Sequence, residues 1–248
     1  MTAAANDVGA PAGGTTGKQP ARHNLSWRRR AWWAFLYTLT WLWMVTCYRY
    51  SSWGRRRMPR TRPCSLASKH QCRLEPIPVG LGTAPTPCFA VARSTLFKNP
   101  VFTWLIKSLN AIPVRQGESD LVAMRKAVDV LKQGHRLMIF PEGARTPDGA
   151  IHTFKPGTML LIKRAKVPVV PVAIEGGFEA WPVHDNRPHA TGRIGVMYGR
   201  PIPAQTLLAM STDEALAFLR DKVEALRVQV RERLDAAETA RGPLGICE

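Results

Sequence analysis

The feature that most constrains the fold is a regular alternation of short apolar runs with helical periodicities through most of the chain. Apolar runs of the kind that form buried strands lie at 86–92, 111–115, 136–140, 167–174 and 193–199. Between the second and third runs, Leu121, Met124, Val128 and Leu131 recur at helical spacing, and Gly134 predicts the end of that helix. Strands that alternate with helices are typical of α/β proteins with a partly parallel sheet.

Three more segments predict helices. Asn99 and Pro100 supply an N-cap and a first helical position, which predicts a helix over 101–110. The segment 155–166 predicts another. Ser211 and Glu214 have the spacing of a capping box at the start of a long amphipathic helix. We therefore predict one α/β domain over residues 63–248, with a mixed, partly parallel sheet flanked by helices.

The first 62 residues differ from the rest, with eleven basic side chains against one acidic side chain. Residues 1–22 are rich in Ala, Gly, Thr and Pro, which predicts a disordered tail. Residues 23–62 predict a basic, aromatic, membrane-associated helix region, with an uncharged run at 31–48. That run lies at the lower limit for crossing a bilayer. Arginines on both flanks favour a helix lying among anionic headgroups at the cytoplasmic face of the cell membrane. A helix that crosses the bilayer and a helix that lies at its surface both remain open.

Several classes of protein and site are disfavoured. The five cysteines are scattered without a C-x-x-C pair, which predicts reduced thiols and no metal site. The chain lacks G-x-S-x-G and G-x-x-x-x-G-K-[ST], and Gly80 and Gly82 lack the third glycine of a dinucleotide loop. A net charge of +17 would suit nucleic acid. Because much of the basic excess surrounds an aromatic apolar segment, we predict an anionic membrane surface as a partner and no nucleic acid.

His70 and Glu75 lie in the segment KHQCRLEP at 69–76. A histidine beside a carboxylate can be a general base with an orienting partner. Five residues of regular helix would put the two side chains on different faces, so they can meet only if His70 precedes the helix. Pro76 suits the first helical position and biases Glu75 away from the α conformation. The alternative is an ordinary polar patch at a helix entrance.

Two polar segments follow predicted strands. IFPEGARTPDG at 139–149 places Glu142, Gly143 and Arg145 after one strand, and AIPVRQG at 111–117 places Arg115 after another. The carboxyl ends of sheet strands are where α/β proteins bind ligands, and arginine can clamp phosphate. The two arginines therefore predict one anion-binding pocket.

Four ordered segments resemble the blocks of the PlsC-type glycerolipid acyltransferases. KHQCRLE (69–75) is similar to N-H-x-S-x-x-D, and IPVRQG (112–117) to a strand that ends in Arg-x-Gly. FPEGART (140–146) is similar to F-P-E-G-T-R-S, and VPVVPV (167–172) to V-P-[VI]-V-P-V. The third block, with FKPG at 154–157, is highly specific. The resemblance covers roughly residues 65–203.

The resemblance implies transfer of a fatty acyl group from an acyl thioester to the hydroxyl of a lysophospholipid, with 1-acylglycerol 3-phosphate as the default acceptor. His70 would be the general base and Glu75 its carboxylate partner. The acceptor-phosphate site would comprise Arg115, Glu142, Gly143 and Arg145. No cofactor is implied, because acyl-CoA or acyl carrier protein would serve as the co-substrate. No acyl-enzyme is implied either, which fits the missing nucleophile elbow.

The first block departs most from the family pattern. Lys69, Cys72, Arg73 and Glu75 stand where Asn, Ser, an aromatic residue and Asp are usual, and Ala144 replaces a threonine in the third block. Glu75 is one methylene longer than Asp, and a displacement of about 1 Å can cost about a hundredfold in rate. Two hypotheses follow: the enzyme is active but impaired by the longer acid, or its site has adapted to that acid. The alternative function is a catalytically impaired relative that acts as a lipid- or membrane-binding scaffold.

Overall fold

The fold is that of a computed structural model, which describes residues 27–59, 63–84, 86, 88–93, 100, 103–104, 106, 110–114, 120–146, 148–182, 185 and 187–240. The strands are β1 (Ser51–Trp53), β2 (Cys64–Ser68), β3 (Cys88–Arg93), β4 (Ala111–Val114), β5 (Arg136–Ile139), β6 (Val169–Glu175) and β7 (Gly195–Tyr198). The helices are α1 (Trp27–Tyr48), α2 (Pro76–Leu81), α3 (Asp120–Lys132), α4 (Gly157–Ala165), α5 (Gly177–Ala180), α6 (Ala204–Leu208) and α7 (Thr212–Thr239). A 3₁₀ turn covers Arg55–Arg57.

The strands form one mixed sheet in the order β1-β7-β6-β2-β5-β3-β4. Every neighbouring pair is parallel except β6 and β7, which are antiparallel. The predicted α/β class and partly parallel sheet are therefore confirmed. The edge strand β1 was not predicted, because three residues of sequence Ser-Ser-Trp carry too little periodicity to indicate a strand.

The sheet lies between two helical layers, as the alternation of side chains along β2 shows. Leu66 faces a core that includes Val79 of α2 and Met44 of α1. Its neighbour Ala67 faces the opposite core, with Ile162 of α4 and Leu219 of α7. Successive residues of a strand point to opposite faces, so β2 is buried on both sides, as its apolar sequence requires.

The predicted helices differ from the observed ones mainly at their ends. The capping box is confirmed: the Glu214 N–H donates to the Ser211 hydroxyl, and the Ser211 N–H donates to the Glu214 carboxylate. Most of the helix predicted over 101–110 lies outside the described residues, although Thr103, Trp104 and Ile106 are helical. The predicted tail at 1–22 also lies outside them.

Helix α1 is joined to the domain at its C-terminal end by backbone hydrogen bonds. The N–H groups of Gly192 and Ile194 donate to the carbonyls of Cys47 and Tyr48, at 3.1 and 2.9 Å. Ser51 then donates to the Ile194 carbonyl at 3.0 Å, which begins β1. Large apolar side chains on α1 remain more than half exposed, namely Trp27, Phe35, Leu39 and Leu42. In the part of the chain that the structure describes, no helix has the length and apolar character needed to cross a membrane.

Candidate active site

The predicted site gathers where the carboxyl ends of β2 and β5 meet. β2 pairs in parallel with β5 on one side and with β6 on the other. The chain continues from β2 to β3 on the β5 side, and only later returns to β6 on the opposite side. Such a switch in strand order opens a crevice outside the strand carboxyl ends. Lys69 and His70 follow β2 directly, and Phe140–Thr146 follows β5.

His70 and Glu75 form a hydrogen-bonded pair. His70 Nδ1 lies 2.7 Å from Oε2 of Glu75, and the N–H of Gln71 donates to the other carboxylate oxygen at 2.8 Å. The Glu75 side chain is fully buried, whereas the imidazole of His70 is 22% exposed. A carboxylate beside Nδ1 holds the proton on that nitrogen and leaves the Nε2 lone pair available. The pair therefore has the arrangement of a general base with an orienting acid.

One detail of the prediction for Glu75 is wrong. Glu75 has φ −50° and ψ −38°, so it is in the α conformation although Pro76 follows it. It is the N-cap residue of α2, which begins at Pro76 as predicted. Its carboxylate receives two hydrogen bonds from the preceding turn, and these fix a conformation that proline otherwise disfavours.

The surroundings of Glu75 accommodate the longer acid. Arg73 lies two residues before Glu75 and could have formed a competing salt bridge with its carboxylate. Its guanidinium instead lies over the Trp181 ring, 5.6 Å from the centroid. Gly177 packs beside the pair: a Cβ at Gly177 would lie 3.1 Å from the Cys72 sulfur and 3.8 Å from Cγ of Glu75. The missing side chain at Gly177 thus leaves room for the Cys72 sulfur, whereas the Cγ of Glu75 would be at an ordinary van der Waals distance from a Cβ there.

The loop after β5 binds both backbone polar groups of His70. The His70 N–H donates to Oε2 of Glu142 at 3.0 Å, and the His70 carbonyl accepts from the Thr146 N–H at 2.9 Å. The Phe140 ring stacks on the imidazole with centroids 4.1 Å apart. These three contacts place His70 against the segment FPEGART, so two of the predicted segments form one site.

Glu142 has a different environment from the one expected of a phosphate-site residue. Its second oxygen accepts from the His152 N–H at 3.3 Å, so both oxygens bind backbone N–H groups. The residue is 5% exposed. Burial raises the pKa of Glu142 to about 7; the charge of Glu75 also raises it, and the two N–H groups oppose the rise. The Glu142 carboxylate therefore joins the turn after β2, at His70, to the segment before α4, at His152.

This pKa gives a testable dependence of stability on pH. The folded-state pKa lies above the ordinary value, so folding favours the protonated acid. The contribution is present below the ordinary pKa and is lost as pH rises through about 7. We expect the free energy of unfolding of the wild type, relative to Glu142→Gln, to fall between pH 5 and about 7 and then to level off. Urea unfolding at several pH values measures it, and a constant difference would contradict the shifted pKa.

The cations near this loop are Arg145 and a residue that the sequence analysis did not assign, Lys155. Gly143 has φ +71°, and a Cβ there would lie 3.0 Å from Cδ and 3.2 Å from Nζ of Lys155. Only glycine fits that conformation and the close approach. The Lys155 N–H also donates to the Pro141 carbonyl at 2.9 Å. Arg145 is half-buried, and Arg115 lies outside the described residues. The FKPG segment was the available signal for Lys155.

The cysteines in the described part of the chain do not supply a nucleophile at the site. Cys72 is fully buried, and burial raises the pKa of its thiol well above the ordinary range. Cys47, Cys64, Cys72 and Cys88 are free thiols. Among the residues that the structure describes, no three His, Cys, Asp or Glu side chains group so as to hold a metal ion.

Comparison with known proteins gives consistent matches. The model of the family described as Acyltransferase matches residues 51–175. A 1-acyl-sn-glycerol-3-phosphate acyltransferase of Pseudomonas aeruginosa is 32% identical over 142 residues, 56% of this chain and 54% of that protein. One of Bacillus subtilis is 24% identical over 180 residues, 73% of this chain and 85% of that protein. The chain spans about half the length of several of the relatives it matches.

A solved structure shares the fold. The crystal structure of the 1-acyl-sn-glycerophosphate (LPA) acyltransferase PlsC from Thermotoga maritima is 26% identical and has a TM-score of 0.63. The alignment covers 84% of this chain and 79% of that one.

Proposed function

The chain belongs to the acyltransferase family, and from that membership and the geometry of its site we propose that it transfers a fatty acyl group to 1-acylglycerol 3-phosphate, giving phosphatidic acid. The observation that carries this proposal is the His70 imidazole, 2.7 Å from a buried carboxylate at the strand ends. The names of the relatives supply the acceptor. The scaffold alternative is not favoured, because the histidine and its acid partner are assembled.

The proposed reaction is a direct transfer. His70 Nε2 removes the proton from the acceptor hydroxyl as its oxygen attacks the thioester carbonyl, while Glu75 stabilises the imidazolium through Nδ1–H. The attack forms the new C–O bond, and collapse of the tetrahedral intermediate restores the carbonyl and breaks the C–S bond, which leaves the ester. The imidazolium then returns its proton to the thiolate that leaves. No acyl-enzyme is required, in keeping with the buried thiol of Cys72.

The acceptor phosphate requires cations beside His70. Arg145 and Lys155 are the candidates in the described part of the loop, and Arg115 remains a prediction from the sequence. Arginine binds phosphate through a planar fork and lysine as a compact charge, so the two can share one phosphate. In this proposal Glu142 orders the loop rather than contacting the phosphate, since a carboxylate would repel it.

The thioester-consumption assay tests the function. Membranes from expressing cells should convert lysophosphatidic acid and an acyl thioester to phosphatidic acid, measured by mass spectrometry alongside thiol release. Acyl-CoA and acyl carrier protein thioesters are compared as donors, and lysophosphatidylcholine and glycerol 3-phosphate as acceptors. Absence of acyl transfer with every pair of substrates would rule out the proposed function.

Helix α1 is proposed to hold the enzyme at the cytoplasmic face of the membrane. Its exposed large apolar side chains are Trp27, Phe35, Leu39, Trp41, Leu42 and Trp43, and Arg28 is also exposed. Two hydroxyls on this helix are satisfied internally: Thr38 donates to the Ala34 carbonyl and Thr46 to the Leu42 carbonyl, both at 2.8 Å. Such a face can enter the headgroup region with these two hydroxyls already paired.

Removing the apolar face should weaken binding to membranes. We expect the triple variant Phe35→Ser, Leu39→Ser, Leu42→Ser to bind anionic vesicles about tenfold or more less tightly, because each side chain contributes roughly 1.5–3 kcal/mol when fully buried. Sedimentation with phosphatidylglycerol vesicles measures it. Val228→Ser, which removes an exposed apolar residue of α7, is the matched control. Equal binding of the triple variant and the control would contradict the proposed attachment.

A further inference from the structure

A buried lysine stands directly before His70. Lys69 is 1% exposed, although lysine is almost never fully buried unless it is paired. The alternation of β2 explains its direction: Ala67 faces α7, and Lys69 lies two residues further along the same face. Residue 70 then points away from that face toward the crevice. The lysine and the histidine are therefore anchored on opposite sides of the sheet.

The partner of Lys69 is Glu175, the last residue of β6. Lys69 Nζ lies 2.5 Å from Oε1 of Glu175, whose residue is 2% exposed. The other oxygen of Glu175 accepts from Arg231 of α7, with Nε at 3.0 Å. A second arginine of α7, Arg227, lies 3.7 Å from Oε1. One carboxylate thus links the residue before His70 to two successive turns of the last helix.

The charges of this cluster balance. Arg227 is also bound by Glu224, at 2.9 Å from its Nε, and Glu179 lies 3.7 Å from Arg231. Three cations therefore meet three carboxylates, and only Lys69 and Glu175 are fully buried. A buried ion pair is poor as a source of stability, because removing two charges from water is costly. Its better attested use is to specify one arrangement of the groups it joins.

We propose that Lys69, Glu175, Arg227 and Arg231 form a positioning network that fixes the backbone at His70 from the α7 side of the sheet. This inference rests on the proposed role of His70. The loop after β5 holds the N–H and carbonyl of His70 from the crevice side. The network holds the preceding residue from the opposite side, so the Cα of His70 lies between two fixed points. The direction in which the imidazole points its Nε2 then depends on the loop after β5 and on the network.

The test uses three substitutions that each remove one charge. Lys69→Met keeps an unbranched side chain as long as the lysine stem and removes the ammonium charge, while Glu175 remains in contact with Arg227 and Arg231. Arg231→Gln removes the half-exposed end of the network and leaves Lys69 paired. Glu238→Gln is the matched control, because it removes an ion pair between α7 and Arg193 that does not reach Lys69. Each full-length variant is compared with the wild type for kcat, KM and unfolding temperature.

A spectroscopic readout separates positioning from mere stability. The proton on Nδ1 of His70 is shared with Glu75 and should give a downfield NMR resonance, assigned by its loss in His70→Ala. We expect Lys69→Met to lower kcat about tenfold or more with KM within about twofold, and to shift this resonance, because small misplacements of a catalytic group act on kcat. Arg231→Gln should lower kcat about threefold and shift the same resonance. Glu238→Gln should change neither quantity.

The outcomes are distinct. If kcat and the resonance are unchanged in Arg231→Gln and in Lys69→Met, and only the unfolding temperature falls, the network is structural and the proposal fails. If Lys69→Met does not fold, Arg231→Gln decides alone. If the wild type transfers no acyl group, the proposed function fails, and the resonance still reports whether the network positions His70.

Discussion

Replacing His70 with alanine should lower kcat for acyl transfer by about 10³- to 10⁴-fold while KM for lysophosphatidic acid changes little. A positioned general base contributes about 10²–10⁴ to a rate, and loss of the histidine also removes the partner that Glu75 orients. The imidazole is the group at this strand end whose Nδ1 is tied to a buried acid and whose other nitrogen keeps a lone pair. Thiol release under saturating substrate measures the change.

The control for this substitution is His189→Ala. His189 is an exposed histidine whose imidazole pairs with the exposed Asp185 at 3.0 Å rather than with a buried acid. Its removal should leave kcat within about twofold, as for surface substitutions away from special features. Equal rates for wild type and His70→Ala would exclude His70 from the mechanism, whatever the fold.

Glu75→Gln should have an effect of similar size. The amide keeps the shape of the side chain but presents no charge to the imidazolium that forms in the reaction. It also allows the wrong tautomer of His70, a defect that costs about 10⁴ in a serine-protease triad. We therefore expect kcat to fall by about 10³- to 10⁴-fold, with the unfolding temperature measured in parallel to show that the variant is folded.

Glu75→Asp separates the two hypotheses about the longer acid. The carboxylate binds His70 and the Gln71 N–H at 2.7 and 2.8 Å, so the longer side chain brings both of its oxygens within hydrogen-bond distance of a partner. This geometry favours an enzyme adapted to glutamate. Shortening the side chain retracts the carboxylate by about 1 Å, so we expect kcat to fall about ten- to a hundredfold. A rise in kcat above the wild-type value would show instead that glutamate impairs the enzyme.

The fold could be predicted largely because its strands are buried on both faces. VPVVPVAI and RLMIF are apolar runs of a length that suits only buried strands between helices, and they became β6 and β5. Strand β1 escaped prediction because its three residues join the sheet through β7, a partner more than a hundred residues away. Short edge strands depend on tertiary pairing, which local patterns do not encode.

The sequence predicted which residues form the site better than it predicted the contacts between them. His70, Glu75 and the FPEGART loop were identified from motif order, and they meet in space. The hydrogen bonds of Glu142 to two backbone N–H groups were not foreseen, because they depend on the register of β2 against β5. The Lys69–Glu175 pair was missed because it depends on the pairing of β2 with β6: its residues are 106 positions apart, and each alone resembles a surface charge.

The junction between α1 and the domain has a consequence for how lipid reaches the enzyme. Residues 47–51 are joined to residues 192–194 by three backbone hydrogen bonds rather than by a free linker. If α1 rests in the bilayer as proposed, helix and catalytic domain move as one rigid body. The depth at which α1 lies in the bilayer then sets the height of His70 above the lipid.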